Sequence, residues 1–103
     1  MDIQITSRHE KASASLQETI IDEFGKLERY YDKLTSCRII LDNERGMDIL
    51  EVILTMAGHT LKATAKAANI GKAIDKAFMK VDRQLEKICG KKKDHKNHLK
   101  SEK

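Results

Sequence analysis

The chain has 103 residues, of which 40% are hydrophobic and 35% are charged, and it contains no Pro, no Trp and two Cys. This length allows one domain with a modest core, and the hydrophobic content is high enough for the chain to fold. No apolar run approaches the ~20 residues that a membrane-spanning helix needs, and the start shows no basic, apolar leader. We therefore expect a folded, cytoplasmic protein that does not enter a membrane.

The two cysteines, Cys37 and Cys89, stand 52 positions apart without a second pair near either of them. A disulfide scaffold or a tetrahedral zinc site needs more thiols or histidines at closer spacing. We expect both to be reduced, structural thiols, because a buried free Cys behaves as a small hydrophobic residue.

The net charge of +4 is distributed unevenly along the chain. Residues 1–71 carry 9 basic and 11 acidic side chains, whereas residues 72–103 carry 11 basic and 5 acidic ones. The two parts therefore have net charges of −2 and +6. A local excess of this kind favours a polyanionic partner that is attracted over a distance.

The first predicted elements are a short strand and a helix. Residues 2–7 alternate between apolar and polar side chains, which is the period of a half-buried strand. Ser13 suits the N-cap of a helix over residues 14–31, because apolar side chains then stack on one face. Gly25 falls inside this helix and should cost about 1 kcal/mol relative to Ala, unless another backbone approaches it closely.

Three further strands and a second helix follow. Alternation over residues 37–42, 50–56 and 61–67 predicts strands, and the turns between them predict two hairpins. The inward positions of the last strand are mostly alanines, which leave room for a helix to pack close. Asn69 can cap the second helix, its apolar side chains recur as far as Ile88, and Gly90 marks its end.

The element order β-α-β-β-β-α predicts the fold class. The first helix spans a connection long enough for a right-handed crossover between parallel strands, and the later connections suit antiparallel hairpins. The result is an α+β fold, a two-layer sandwich in which a four-stranded mixed sheet carries two helices on one face. We assign the folded domain to residues 1–90 and a basic, flexible tail to residues 91–103.

Charged side chains are sorted by sign around the second helix. At about 100° per residue, five basic side chains form a stripe away from the apolar face, namely Lys72, Lys76, Lys80, Arg83 and Lys87. An acidic line lies apart from this stripe and consists of Asp75, Asp82 and Glu86. Lys26, Arg29 and Lys33 make the end of the first helix basic, so we expect the outward sides of both helices to form one surface. Nucleic-acid phosphates require several cations on one face.

Motifs for catalysis or cofactor binding do not occur in the sequence. The glycines form no phosphate-cradling loop, and neither a nucleophile elbow nor a helical His-Glu-x-x-His is present. His95 and His98 lack acidic or thiol partners at a spacing that suits a metal ion. We predict a non-enzymatic protein without a cofactor, a bound metal or a small-molecule substrate.

Several motifs across residues 1–92 together resemble one family. They are Ile3-x-Ile5-Thr6-x-Arg8-His9 followed by Ser13-x-x-Leu16, Lys26-Leu27-Glu28-Arg29-Tyr30-Tyr31-Asp32, Leu61-x-Ala63-x-Ala65, Ala73-Ile74-Asp75 and Lys80-Val81-Asp82-Arg83-Gln84-Leu85-x-Lys87. In order and spacing they are similar to the ribosome hibernation-promoting factor and ribosome-associated inhibitor family, also called sigma-54 modulation proteins. The resemblance implies the same β-α-β-β-β-α domain. It also implies binding to the small ribosomal subunit in the mRNA and tRNA channel, which blocks translation in stationary phase or stress.

The resemblance further implies contacts from basic side chains to rRNA phosphates. The residues that match the family motifs are Arg8, Lys26, Arg29, Lys80, Arg83 and Lys87. Charge and placement add Lys62, Lys66, Lys91 and Lys92. The chain lacks the family's usual aromatic residue at Asn69-Ile70-Gly71-Lys72, and it lacks the second domain through which long members pair ribosomes. We therefore expect a short form without a dedicated dimerisation domain.

Two other functions remain open from the sequence. A protein-interaction regulator, such as a modulator of a transcription factor, would use the open sheet face with Ile40 and Ile53 as exposed apolar anchors. The other alternative is a general RNA-binding module. The four aromatic side chains all lie on predicted helices, so the strands offer no platform on which bases would stack.

Overall fold

The computed structural model describes residues 1–90 and contains, in this range, three helical segments and four strands. In chain order these are β1 (Asp2–Ser7), α1 (Ala14–Gly25), α2 (Leu27–Tyr30), β2 (Leu34–Glu44), β3 (Met47–Met56), β4 (His59–Ala67) and α3 (Ile70–Cys89). The predicted order β-α-β-β-β-α is confirmed, with the first helix divided into two segments.

The four strands form one mixed sheet in the order β1-β2-β3-β4. β1 runs parallel to β2, whereas the β2–β3 and β3–β4 pairs are antiparallel. The helices cover the face on which Ile5, Ile39, Val52 and Ala63 lie in register across the four strands. Within residues 1–90 no second layer covers the opposite face. The predicted two-layer sandwich is therefore confirmed.

The β2–β3 hairpin is tighter than the sequence predicted. Its turn consists of Arg45 and Gly46, whose φ angles are both positive at 54° and 81°. A two-residue turn of this kind matches the twist of the strands that it joins. Pairing therefore begins directly at Glu44 and Met47, and both strands extend beyond the predicted residues 37–42 and 50–56.

The core lies between the helices and the covered face of the sheet. Phe24 is fully buried, and its ring meets the ring of Phe78 edge to face with the centroids 5.7 Å apart. α3 packs closely on β4 because Ala73 and Ala77 of the helix and the alanines within residues 63–67 of the strand are all small and buried. The close packing predicted from these strand alanines is present.

The predicted single helix over residues 14–31 is wrong at its C-terminal end. α1 ends at Gly25, and Tyr31 is already extended, with φ −130° and ψ 135°. The Lys26 N–H bonds to carbonyls two and three positions back, which tightens the chain at a glycine that already disfavours helix. A Cβ built on Gly25 would meet nothing within 4 Å, so no close backbone contact compensates for this glycine. Beyond the break, Leu27 and Tyr31 are both buried.

α3 has the predicted caps, but its last turn is more exposed than predicted. Asn69 Oδ1 accepts a hydrogen bond from the Lys72 N–H at 2.9 Å, and Gly90 ends the helix with φ 84°. Ile88 is 39% exposed, so its predicted place on the buried stripe is wrong. Gln84 Nε2, one turn before Ile88, donates to Lys62 O of β4 at 3.0 Å, so the helix lies beside the strand as far as Gln84.

Both cysteines are free, and they lie in different environments. Cys37 on β2 is 1% exposed, and burial raises the pKa of its thiol to about 12. Cys89, in the last turn of α3, is exposed. The expectation of a buried structural thiol therefore holds for Cys37 and is wrong for Cys89, which lies in the exposed last turn of α3.

Candidate nucleic-acid interface

α3 presents opposite charges on two of its sides. Its inner side is held in the core by Ala73, Ile74, Ala77, Val81 and Leu85. The acidic line faces α2, because the Tyr31 hydroxyl at the C-terminus of α2 donates to Asp82 Oδ1 at 2.9 Å. Burial, and then the hydrogen bond to Asp82, raise the pKa of Tyr31, so its hydroxyl stays protonated and able to donate. The basic stripe lies on the other side of the helix, toward β4.

Long side chains of the basic stripe contact the backbone of β4. Lys76 Nζ donates to Lys66 O at 3.2 Å, and Lys80 Nζ donates to Thr64 O at 2.6 Å. The Gln84 contact described above continues the same pattern one helical turn further on. Helix residues four apart thus meet strand residues two apart. These contacts bring the cations of the helix beside the cations of the strand.

The resulting surface is a basic strip along one edge of the molecule. We call it the β4–α3 strip and define it by its exposed basic side chains, which are Lys62, Lys66, Lys72, Lys76, Lys80, Arg83 and Lys87. The side chains of Arg83 and Lys87 form no hydrogen bond or ion pair with any other described residue. Their charges are therefore available to a ligand.

On the open sheet face, Arg8 and Lys62 share one carboxylate. Arg8 Nη2 lies 3.8 Å from Glu51 Oε1, and Lys62 Nζ lies 3.6 Å from Glu51 Oε2. The Arg8 and Lys62 side chains are 57% and 66% exposed. In water such pairs are weak and exchange partners readily, so Glu51 reduces the positive potential of this face without removing it.

The carboxylate of Asp42 is in contact with three polar groups, one of which is the Arg8 side chain. The Asn43 N–H donates to Asp42 Oδ1 at 2.8 Å, His9 Nε2 lies 2.7 Å from the same oxygen, and Arg8 Nη1 lies 3.4 Å from Oδ2. The Asn43 N–H, followed by His9 and Arg8, holds the pKa of Asp42 below its usual value. Asp42 is therefore ionised near neutral pH and fixes the segment that carries Arg8.

Like Arg8, the predicted residues Lys26 and Arg29 lie outside the strip. Lys26 follows α1, and its ammonium lies 3.0 Å from Glu23 Oε1, while Arg29 is exposed on α2. Because Asp82 faces α2, the acidic line of α3 lies between these cations and the strip. The two helices therefore do not present one continuous basic surface, contrary to the expectation from the sequence.

Arg38 is an exposed basic residue that the sequence prediction left out. It lies on the open face of β2, in register with Ile53 of β3 and Lys62 of β4. The alternation of β2 already indicated that its side chain points away from the core. Lys91 and Lys92, together with the predicted tail over residues 91–103, lie outside the described residues.

The charged side chains of residues 1–90 are exposed or half-buried. In this range, no group of three or more His, Cys, Asp or Glu side chains is placed to hold a metal ion, and no Asp, Glu, His, Lys or Arg is buried. Catalytic acids and bases usually depend on such burial for their altered pKa values. None of the helices within residues 1–90 is both long enough and apolar enough to cross a membrane.

The fold and this surface define a small two-layer α+β domain that carries a basic strip along one edge. The family model described as "Sigma 54 modulation protein / S30EA ribosomal protein" matches residues 3–93. The chain belongs to this family, whose curated members are ribosome hibernation factors and not a class of enzymes. The family predicted from the sequence motifs is confirmed.

Individual relatives agree with this assignment. The ribosome hibernation promoting factor of Escherichia coli (strain K12) is 30% identical over 95 residues, which cover 92% of this chain and 100% of the relative. The corresponding factor of Pseudomonas putida is 28% identical over 87 residues, which cover 84% of this chain and 85% of the relative.

Solved structures share the fold. A ribosomal subunit interface protein from Coxiella burnetii superimposes with a TM-score of 0.79 at 26% identity, covering 88% of this chain and 100% of that chain. The N-terminal domain of Thermus thermophilus Protein Y has a TM-score of 0.79 at 18% identity, covering 85% of this chain and 99% of that one. The predicted fold class is therefore confirmed.

Proposed function

We propose that this protein binds the small ribosomal subunit through rRNA and occludes the channel for mRNA and tRNA, so that idle ribosomes stop translating in stationary phase or stress. It acts in the cytoplasm, without catalysis and without a cofactor. Residues 1–90 form the binding domain, and residues 91–103 add a basic tail. The names of its relatives, ribosome hibernation promoting factor and ribosomal subunit interface protein, support this choice of partner.

The observation that carries the proposal is the alignment of cations from two elements along one edge. The contact between Lys80 Nζ and Thr64 O holds the basic side of α3 against β4. From Lys72 to Lys87 the helix rises about 22 Å, and Lys62 and Lys66 of the strand lie beside it. A row of cations of this length spans several phosphates of one nucleic-acid strand and releases the counterions condensed there.

The predicted contact residues differ in how freely they can reach a phosphate. The side chains of Arg83 and Lys87 make no polar contact with the other described residues. They can therefore bind phosphate without breaking an interaction of the free protein. Three other cations already pair with a carboxylate oxygen within 4 Å, namely Lys62, Lys66 and Arg8. A phosphate must replace that carboxylate before it can bind them. We therefore assign the strongest contacts to Arg83 and Lys87.

The remaining predicted residues lie outside the strip or are engaged within the protein. Lys26 and Arg29, across the acidic line, form a second point of attachment that requires RNA on that side of the molecule. Lys80 is the residue of the strip most occupied by the protein itself, since its ammonium donates to Thr64 O. Lys91 and Lys92 extend the positive charge beyond Gly90 in the sequence.

Cosedimentation with isolated small subunits over a salt series tests the proposal. Wild-type binding should fall steeply as salt rises, because several phosphate contacts release counterions. The variant R83E/K87E should bind more weakly and reduce the slope of log K against log salt by about 1 to 2, which corresponds to two lost phosphate contacts. The fold should be unaffected, because both side chains point away from the core.

A matched variant separates the strip from general charge. K11E/R45E reverses the same amount of charge at two exposed positions outside the strip, and it should bind the small subunit more strongly than R83E/K87E does. An equal loss of small-subunit binding in both variants would show that binding depends only on the net charge of the protein. No cofractionation of the wild-type protein at low salt, or full binding by R83E/K87E, would contradict the proposal.

The two alternatives from the sequence give different results in the same experiments. Ile40 and Ile53 are half-buried on the open sheet face, so they are less exposed than the sequence predicted for anchors of a protein partner. A general RNA-binding module would bind unrelated duplex RNA as tightly as small subunits. We expect a clear preference for small subunits, and equal affinity would favour the general module.

A further inference from the structure

Three side chains of α3 reach the backbone of β4 at the edge of the sheet. β4 pairs with β3 alone among the described strands, so its outer carbonyls are left for other donors. The donor atoms of α3 lie 3.2, 2.6 and 3.0 Å from three of these carbonyl oxygens, in the pairs Lys76–Lys66, Lys80–Thr64 and Gln84–Lys62. Four helical residues rise about 6 Å and two strand residues rise about 6.6 Å, so the two repeats stay in step. The three contacts together fix where α3 lies along β4.

Gln84 differs from the two lysines of this row because it has no charge to offer a phosphate. Its side chain is half-buried, and its neighbour in the chain is Arg83, whose guanidinium makes no polar contact with the other described residues. Its acceptor is the carbonyl of Lys62, whose ammonium belongs to the same strip. One hydrogen bond thus joins the helix beside Arg83 to the strand residue that carries the Lys62 cation. Of the three contacts, it is also the one nearest to Lys87 in the helix.

We infer that Gln84 is a positioning residue of the β4–α3 strip, and that its hydrogen bond to Lys62 O makes the strip favour folded RNA over flexible RNA. The bond holds Arg83 and Lys87 in a fixed position relative to Lys62. The phosphates of a folded RNA also have fixed positions, so they bind most strongly to cations that are already in place. A flexible strand can move its phosphates to wherever the cations lie. The inference rests on the proposed binding to the small subunit and adds the kind of RNA that the strip selects.

The size of the effect follows from the fraction of molecules in which the cations are aligned. Without the bond, α3 is still held in the core by Leu85, but its outer side is free to shift against β4. The apparent affinity for a rigid ligand falls in proportion to the aligned fraction. One neutral hydrogen bond changes such a fraction a few-fold, so binding to small subunits should weaken about threefold. The slope of log K against log salt should not change, because Gln84 carries no charge and the number of phosphate contacts stays the same.

Binding of Gln84→Met to isolated small subunits and to poly(U), each measured over a salt series, tests the inference. Met keeps the length of the side chain and removes the donor. The variant should bind small subunits about threefold more weakly than wild type with the same salt slope, and it should bind flexible poly(U) as wild type does. Arg83→Gln, in contrast, should weaken binding to both RNAs and reduce the salt slope by about 1. If Gln84→Met does not fold, Gln84→Ala, which also lacks the donor, is measured in its place.

Gln17→Met is the matched control. Gln17 Nε2 on α1 also donates to a backbone carbonyl, that of Ala12 at 2.9 Å, so this variant loses the same kind of bond outside the strip. It should bind both RNAs as wild type does. Gln84→Lys places a donor beside Lys62 O in the manner of Lys80, and it should restore the wild-type preference for small subunits over poly(U).

The outcomes separate this inference from the proposed function. Full small-subunit binding by Gln84→Met, an equal loss for both RNAs, or a reduced salt slope would each overturn the inference. The same holds if Gln17→Met loses as much preference as Gln84→Met, or if Gln84→Lys restores none. A wild-type protein that does not bind small subunits would instead overturn the proposed function, and this inference with it.

Discussion

Removing the Tyr31 hydroxyl should destabilise the protein while leaving the shape of its core intact. The Tyr31 residue is 3% exposed, and its hydroxyl lies 2.9 Å from Asp82 Oδ1 and 3.4 Å from Asp82 O. A hydrogen bond to a charged group contributes about 1.5–3 kcal/mol to stability. Asp82 is partly exposed and regains water when the hydroxyl is lost, so we expect Tyr31→Phe to lower the free energy of unfolding by about 1–2 kcal/mol.

Urea unfolding measures this loss directly. The midpoint of Tyr31→Phe should fall while the m-value stays the same, because the surface exposed on unfolding does not change. The thermal midpoint should fall by about 5–10 °C. A double-mutant cycle with Asp82→Ala isolates the coupling of the pair, and Asp75→Ala on the same acidic line is the control. A coupling energy near zero, or a Tyr31→Phe variant as stable as wild type, would refute the reasoning.

The same bond predicts how stability changes at high pH. Burial, followed by the hydrogen bond and charge of Asp82, raises the pKa of Tyr31 above its ordinary value of about 10. Since the pKa of Tyr31 is higher in the folded state, the protonated hydroxyl contributes its full stabilisation below about pH 10. This stabilisation is lost as the pH rises toward the folded-state pKa. The stability difference between wild type and Tyr31→Phe should therefore shrink above about pH 10. A difference that grows there would contradict the assignment.

Three further predictions concern the thiols, the hairpin and the acid range. Cys89 should react with a thiol reagent in the folded protein. Cys37 is 1% exposed and has a pKa raised to about 12, so it should react only after denaturation. Rapid reaction of two thiols per folded chain would contradict this. Arg45→Asn should raise the free energy of unfolding by about 0.5 kcal/mol, because Asn tolerates a φ of 54°, and a lower urea midpoint would count against it. The pKa of Asp42 is lower in the folded protein than in the unfolded chain, where it is about 4. Its ionised form therefore stabilises the fold above about pH 4, and this stabilisation is lost as the pH falls through the folded-state pKa. Wild type and Asp42→Asn should therefore converge in stability as the pH falls through the folded-state pKa of Asp42, and a gap that widens on acidification would argue against this role.

Elements whose pattern is local were predicted closely from the sequence. β1 alternates over its whole length and forms as predicted over residues 2–7. α3 begins after its Asn69 cap and ends at Gly90, because capping and periodicity both act over a few residues. The order of the elements followed from these local signals, and the resemblance to the family implied the same order.

Features that depend on tertiary contacts were missed. The spacing of apolar residues from Leu16 to Tyr31 fits a single helix, yet the chain breaks at Gly25, and Tyr31 reaches Asp82 from an extended backbone. Ile88 has the correct helical phase for burial, but it is 39% exposed in the last turn of α3. Periodicity within one element contains no information about which of its turns the neighbouring elements cover.

The candidate site was predicted in its residues but not in its arrangement. The basic stripe of α3 was visible as a charge pattern, whereas its position against the β4 edge follows from the contacts of Lys76 and Lys80 with strand carbonyls. The acidic line also gained a role, since Asp82 joins α3 to Tyr31. Arg38 was overlooked although its alternation in β2 places it on the open face.

Competition on the small subunit tests the central claim most directly. Isolated small subunits carry labelled mRNA and tRNA, and the protein is titrated in at low salt while the bound label is measured. Wild-type protein should displace both ligands at about one equivalent per subunit, and R83E/K87E should need a much higher concentration. Simultaneous binding of the protein, mRNA and tRNA to one subunit would contradict the claim that it occupies their channel.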